Sequence, residues 1–442
     1  MKVTFTITAF ILSISLVSAN WHQDPAYCNN ETVKLTGYLG KNLPHNFIVS
    51  PILKCISVTH GEIRNIQEGA FDDVPNLMYL NLENNYIRPP NLFSFGNLPN
   101  VKSLILGNQL KKPLPWEITN DIMVVNTVYP KLLHLNLRND KIESIKINVP
   151  NPFPKLTHLD LSNNHLSWFD LLLWSNTLMQ LNLNNNQISK IWHKELKNLI
   201  SLTVDDNRIS SVGKNYDLDL SGLSSLEYLS ISNNPITVLD DTAFVDTANL
   251  RCLNMSENGL TALEPEVFTP LISLEITILN NNMFRTIPFM KPLNISTLLM
   301  DCNRITNLTS NSLSMLPNLR KLSLAGNMIS SIHVDTFKSQ ELLEELDLSD
   351  NELNHLPVHW DLHTENLRYL DLSGNKFISI TPFLSTTITA LEQVYLDDNP
   401  LKYVGGNSIT IPENMTIYLN IGQKRSKPIC VRRGKPDLII VD

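Results

Sequence analysis

Leu156-Thr157-His158-Leu159-Asp160-Leu161-Ser162-Asn163-Asn164-His165-Leu166 sets the reading of the whole chain. Three leucines at 156, 159 and 161 lead into an asparagine, and another leucine follows it. The same series returns as Leu319, Leu322, Leu324, Asn327, Ile329 and as Leu343, Leu346, Leu348, Asn351, Leu353. It returns again as Leu367, Leu370, Leu372, Asn375, Phe377. The place of Asn164 recurs at Gly61, Asn85, Gln109, Asp140, Asn186, Asn207, Asn234, Asn258, Asn282, Asn303, Asn327, Asn351, Asn375 and Asn399. That makes about fifteen rungs, mostly 24 residues apart, within the range of a solenoid repeat.

Each rung has a physical logic. Two leucines alternate on a short strand and face inward. The asparagine follows where the chain turns away, and its amide can both donate to and accept from backbone groups that would otherwise be buried unpaired. Stacked rungs then predict an asparagine ladder alongside strands about 4.8 Å apart. A single rung cannot bury its own apolar face, so stability comes from stacking. A second apolar position, at Phe71, Phe244, Phe268, Leu313 and Phe337, lies six residues before the next strand's first apolar residue and closes the outer side.

The pattern over residues 52–402 resembles the extracellular leucine-rich-repeat family, in the animal class that carries a Phe spine. It is similar to secreted insect leucine-rich immune proteins and Toll-like ectodomains. The resemblance implies an α/β solenoid: a curved horseshoe with a concave parallel β-sheet and an irregular or short-helical convex side. It also implies recognition of an extracellular protein or glycan on the concave face, with innate immunity as one setting. Four-cysteine caps are frequent in such proteins. Here only Cys28 and Cys55 flank the first rung, and in a secreted chain they read as one cap disulfide. The Cys-rich C-terminal flank of the class is absent after Asn399-Pro400-Leu401.

Composition agrees with a large extracellular domain. With 43% hydrophobic residues the chain can build a core, which excludes general disorder, and 5 cysteines in 442 residues exclude a disulfide miniprotein. A net charge of −8 leaves no basic surplus for nucleic acid. Lys2, the apolar run from Val3 to Val17 and Val17-Ser18-Ala19 read as a signal peptide, residues 1–19, cut after Ala19. The predicted order continues with an N-terminal cap at 20–51, repeats at 52–402, and a cap strand with a basic tail at 403–442. Asn30, Asn254, Asn294, Asn307 and Asn414 head Asn-x-Ser/Thr sequons, candidate glycosylation sites of a secreted protein.

Departures from the period mark further candidates. The interval from Gln109 to Asp140 is 31 residues, and its excess, with Trp116 and later Val124-Val125, is expected to bulge as a loop. Ile276, Ile278 and Leu299 occupy outward strand positions where polar residues are commoner. They read either as an apolar contact patch or as a rung slipped in register. Asp371 and Asp397, with Tyr369 and Tyr395 among them and Glu345, Asp347, Asp350 and Asp398 nearby, read as a steering patch for a basic partner or as a solvated face. His134 and His158 on adjacent rungs read as an acid sensor or as plain surface residues.

Cys252 and Cys302 stand two rungs apart, about 10 Å, beyond the reach of a mutual disulfide, and read as thiols in the rungs. Cys430, in a basic tail, is either free or bridges two chains in a homodimer. No Gly-x-Ser-x-Gly, His-Glu-x-x-His or phosphate loop occurs, and no third ligand accompanies the histidine pair, so neither an enzyme, a cofactor nor a metal is expected. The function these features support is secreted recognition without a membrane span. The alternative is a self-associating adhesion or matrix protein.

Overall fold

The computed structural model describes residue 28 and residues 31–109, 121–192, 196–290, 294–379, 388–402 and 415–418. The leader at 1–19, Asn30, Trp116, Asn414 and Cys430 lie outside the described residues. Two compact units divide between Gln187 and Ile188, and each is a parallel β-solenoid.

In the first unit the sheet runs through strands Thr32–Thr36, Cys55–Thr59, Tyr79–Asn81, Ser103–Ile105, His134–Asn136, His158–Asp160 and Gln180–Asn182. Each pairs in parallel with the next, and the inward leucines align: Leu80 with Leu104, Leu104 with Leu135, Leu135 with Leu159, Leu159 with Leu181. The outer side closes on Phe71, Phe95, Tyr129 and Phe153, all at most 1% exposed. Phe71 meets Phe95 and Phe95 meets Tyr129 edge-on, while Tyr129 stacks on Phe153 and Phe153 on Trp174. This extends the five-position spine read from sequence.

In the second unit the sheet comprises Ser201–Thr203, Tyr228–Ser230, Cys252–Asn254, Ile276–Ile278, Thr297–Leu299, Lys321–Ser323, Glu345–Asp347, Tyr369–Asp371, Gln393–Tyr395 and Thr416–Tyr418, again parallel in chain order. Phe244, Phe268, Leu313 and Phe337 are fully buried behind it.

Helix is nearly absent among the described residues. Two 3₁₀ turns, Pro89–Asn91 and Leu171–Leu173, are the helical elements, and turns make up most of the outer side. Val124-Val125, placed in a bulging loop by the long interval, instead belong to a strand, Ile122–Val125, which pairs with Ser144–Ile147. The extra length there is partly spent on a second, flanking ladder.

The turn after each strand rests on two side-chain columns. The residue before the ladder position is left-handed at every rung from Asn84 (φ 58°) through Asn163 (57°), Asn233 (50°) and Asp350 (53°) to Asp398 (56°). Asn, Asp and Gly tolerate that region best, and Gly326 and Gly374 take it too. Together the two columns account for much of the asparagine content, about one residue in eight. Glu257 (φ 54°) and Cys302 (φ 56°) hold the same conformation without those advantages.

Beside that column the ladder residue repeats one bonding pattern. Asn327 Nδ2 donates to Met300 O at 3.0 Å, in the previous rung, and to Leu324 O at 2.9 Å in its own, while its Oδ1 accepts from Ile305 N at 3.0 Å. Asn164, Asn258, Asn282, Asn303, Asn351, Asn375 and Asn399 do the same. Gln109 reaches the equivalent carbonyls with its longer side chain. Gly61 occupies the place where a Cβ would lie 2.6 Å from Tyr38 O, so the first coil's backbone fills the slot there.

The cysteines divide three ways. Cys28 and Cys55 are joined by a disulfide and lie buried with Tyr79 and Ile105. Cys252 is a buried free thiol, its pKa pushed up to about 12 by burial. Cys302 is disulfide-bonded, which corrects the reading of it as a thiol.

Candidate functional site

Side chains beside the inward leucines project from the open face of each sheet. In the second unit they form two columns set by the strand register. One runs Tyr228, Cys252, Ile276, Thr297, Lys321, Glu345, Tyr369, Gln393, Thr416. The other runs Ser230, Asn254, Ile278, Leu299, Ser323, Asp347, Asp371, Tyr395, Tyr418. Residues 26 positions apart, such as Tyr369 and Tyr395, thereby become neighbours.

The rung Ile276-Thr277-Ile278 keeps its register, and the slipped alternative does not occur. Thr277 stacks between Leu253 and Leu298, facing the core, while both isoleucines face out. A one-residue slip would bury the isoleucines but break both neighbouring pairings. The cost is visible: Thr277 is 0% exposed and its Oγ1 has no hydrogen-bond partner. Replacing it by the isosteric Val should stabilise the second unit by about 1 kcal/mol, because an unsatisfied buried hydroxyl is removed. Urea titration of Thr277→Val checks this, and a destabilised variant would show that the hydroxyl is satisfied.

The outward isoleucines are not an open patch. Ile276 and Ile278 are each only 8% exposed, so little area remains for a partner to cover, while Leu299 is half-buried. More surface is offered at the end of the array. Tyr418 is 39% exposed and stacks on Tyr395, centroids 4.3 Å apart and rings nearly parallel. Tyr369 and Tyr395 are half-buried with centroids 5.2 Å apart. The result is a row of three phenol rings across adjacent strands. Tyr418 lies in the cap strand expected within 403–442, although the sequence does not single it out.

The carboxylates beside this row do two jobs. Asp371 Oδ1 accepts from Ser373 N (2.9 Å) and Ser373 Oγ (2.6 Å), and Tyr369 Oη donates to its Oδ2 (3.2 Å). Asp347 likewise holds Ser349 N and Oγ. Burial first, and then the charge of Asp371, raises the pKa of Asp347. Asp397 is 6% exposed. Glu345 is paired with Lys321 at 2.6 Å. Much of the acidic charge read from sequence is thus spent on turn capping and ion pairing. Along the sheet margin, Arg251–Glu275, Arg320–Glu344 and Arg368–Glu392 pair across rungs. Such exposed pairs contribute little stability each but leave that margin nearly neutral.

In the first unit the rings of His134 and His158 meet edge-on, centroids 4.8 Å apart. Ser103 Oγ lies 3.0 Å from His134 Nδ1, and Thr157 Oγ1 lies 2.8 Å from His158 Nδ1. Burial lowers the pKa of both, and His134 adds to the effect on His158, which falls to about 4. Both are therefore neutral at physiological pH. Among the described residues no group of three potential metal ligands occurs, and no helix is long and apolar enough to cross a membrane.

Comparison with known proteins places this architecture. The family model described as leucine rich repeat matches residues 51–110, 224–284, 293–353 and 341–401, and a second repeat model matches 155–176. Mouse podocan is 28% identical over 295 residues, 65% of this chain and 43% of podocan, so the match leaves more than half of that relative unspanned. Chicken keratocan is 28% identical over 305 residues, 67% of this chain and 71% of keratocan. Among solved structures, a Leptospira interrogans leucine-rich-repeat protein aligns with a TM-score of 0.60 at 21% identity, covering 87% of this chain and 94% of that one. Toll, in its Drosophila complex with Spatzle, aligns at 0.63 with 18% identity, covering 84% and 51%. At those identities the two structures speak for the fold alone. The sequence relatives are extracellular matrix proteoglycans. With repeat models matching more than half of its length, the chain belongs to the leucine-rich-repeat family.

Proposed function

We propose that this chain is a secreted recognition protein that takes an extracellular protein partner on the open sheet face of its second unit. The observation that carries the reading is the row formed by Tyr369, Tyr395 and Tyr418. Its rings are held by ring contacts, tilted for Tyr369 on Tyr395 and stacked for Tyr395 on Tyr418, and by adjacent strands, so a partner would meet aromatic surface already ordered. Tyrosines are over-represented among the residues that dominate interfaces, because a large rigid ring loses little entropy on binding and its hydroxyl stays wet. Asp371 and Asp397 flank the row but are almost fully buried, so the tyrosine rings and their hydroxyls are what the row offers a partner. Ile276, Ile278 and Leu299 lie on the same face, where only Leu299 offers a partner appreciable apolar area. The likeness to Toll is one of fold and supplies no argument for an immune role.

The test is capture of partners from extracellular fluid with wild-type chain and with Tyr395→Ala. Truncation of a central anchor typically costs about 2 kcal/mol, roughly a 30-fold loss of affinity. Capture should fall by that order while the melting curve stays in place. Equal capture by both would remove the tyrosine row from the interface.

A second reading, self-association in a matrix, is favoured by the sequence likeness to podocan and keratocan. Light scattering on the purified chain, with and without reductant, separates the two. A concentration-dependent oligomer lost with Tyr395→Ala would make the partner a second copy of the chain, and a reductant-sensitive dimer would mean that a disulfide bridges two chains.

A further inference from the structure

Three sequons fall within the described residues, and their surroundings differ. Asn254 ends the strand Cys252–Asn254 on the open sheet face and is half-buried. Its Nδ2 donates to Ser230 Oγ at 3.0 Å, and its Oδ1 accepts from Ser256 N (3.1 Å) and Ser256 Oγ (2.7 Å). Both polar members of the sequon are therefore engaged, and Ser256 is only 9% exposed.

The same cap recurs where no sequon exists. Asp347 with Ser349 and Asp371 with Ser373 make both bonds, from N–H and from hydroxyl, at the equivalent strand position. Asp160 accepts Ser162 N at 2.9 Å in the first unit. Asn-x-Ser at 254–256 is one instance of a structural unit, Asx-x-Ser, whose serine serves the turn. A glycosylation acceptor must sit where a bulky sugar projects into solvent. Asn254 projects instead between Ser230 and Ile278 on the packed face.

Asn294 and Asn307 are exposed and off that face. Asn294 lies ahead of the strand Thr297–Leu299, and its contacts, with Ile272 O and from Asn318 Nδ2, are both long at 3.4 Å. Asn307 lies in the flanking strand Asn307–Leu308, with Thr309 exposed beside it. Thr306 Oγ1 donates to the side-chain amide oxygen Oδ1 of Asn307 at 3.1 Å, which leaves Asn307 Nδ2 outside that bond.

We infer that Asn294 and Asn307 carry N-linked glycans, that Asn254 does not, and that the open sheet face of the second unit is thereby kept bare while its flanks are sugared. The inference rests on the secreted reading, since the transferase acts only on chains entering the secretory route.

Expression of the full chain in a secreting cell, with glycopeptide mapping and gel mobility before and after enzymatic deglycosylation, tests it. Asn254→Asp deletes the sequon but keeps the acceptor, as Asp347 and Asp371 do. It should be secreted with unchanged mobility, whereas Asn294→Gln and Asn307→Gln should each lose the mass of one glycan. A glycan mapped to Asn254, or a faster-running Asn254→Asp chain, overturns the inference and leaves secretion standing. No sugar on a chain recovered from the medium overturns the inference and leaves secretion standing, whereas no sugar on a chain retained in the cells overturns both.

Discussion

Asp140→Asn should make the protein more stable at neutral pH and remove part of its acid stabilisation. Asp140 stands in the asparagine ladder at 1% exposure. Its Oδ1 accepts from Gln109 N at 3.1 Å, as a ladder amide oxygen would, but Oδ2 is buried without a partner. The neighbouring ladder residue shows what is missing: Asn164 Nδ2 donates to Leu137 O and Leu161 O at 2.8 and 2.9 Å. An ionised carboxylate at 140 places an acceptor where the ladder needs a donor.

Its pKa is raised well above 3.8, by burial first, with the Gln109 N–H opposing and the charges of Asp160 and Glu83 adding to the rise. The folded state therefore binds the proton more tightly than the unfolded state. The resulting stability is fully present below the ordinary carboxylate pKa, and it is lost as pH rises through the raised folded value. Asparagine supplies the donors at every pH. We expect a gain on the order of 1–3 kcal/mol at pH 7 that shrinks towards pH 4. Paired urea titrations of the two chains across this range measure it. Asp205 and Asp301 also have raised values through burial, so the difference between the chains, not either profile alone, isolates Asp140. A constant difference across pH would mean that Asp140 is ionised throughout.

The ladder position was legible because its spacing survives every substitution, even Gly61, Gln109 and Asp140. The left-handed residue beside it was not, since Asn, Asp, Gly, Glu257 and Cys302 share a backbone conformation rather than a side-chain type. Outward positions were identified by alternation, yet their exposure was not. Ile276 and Ile278 face out but are packed down by neighbours whose side chains no one-dimensional pattern brings together. The Asx-x-Ser cap hid for a different reason: at 254–256 it is written in the same letters as a modification signal. The tyrosine row lay between these cases. Tyr369 and Tyr395 follow from the period, but Tyr418 joins them only because Thr416–Tyr418 pairs in parallel with Gln393–Tyr395.

The largest loss is expected from the opposite change, Asn351→Ala. Asn351 Nδ2 donates to Leu324 O (2.9 Å), Leu348 O (3.1 Å) and Ser349 O (3.1 Å), and its Oδ1 accepts from Ile329 N (2.9 Å). The two leucine carbonyls would keep second donors in Asn327 and Asn375. Ile329 N, buried between rungs, has no substitute acceptor. One orphaned donor together with the lost bonds should cost about 3 kcal/mol, larger than the void left by so small a side chain. Because each rung is stabilised chiefly by its neighbours, the damage should be confined to adjacent coils, with amide exchange accelerating first at Ile329 and Leu353.

Asn351→Asp is the discriminating control. It restores the acceptor for Ile329 but not the donors, so it should behave as Asp140 does, weak at neutral pH and recovering as pH falls. If alanine and aspartate at 351 were equally destabilising at pH 4, the polar ladder would be incidental and the stacked leucines alone would hold the rungs together. Recovery of the aspartate alone would locate the stabilisation in the hydrogen atoms directed at the carbonyls, the one feature that separates an asparagine ladder from a column of isosteric acids.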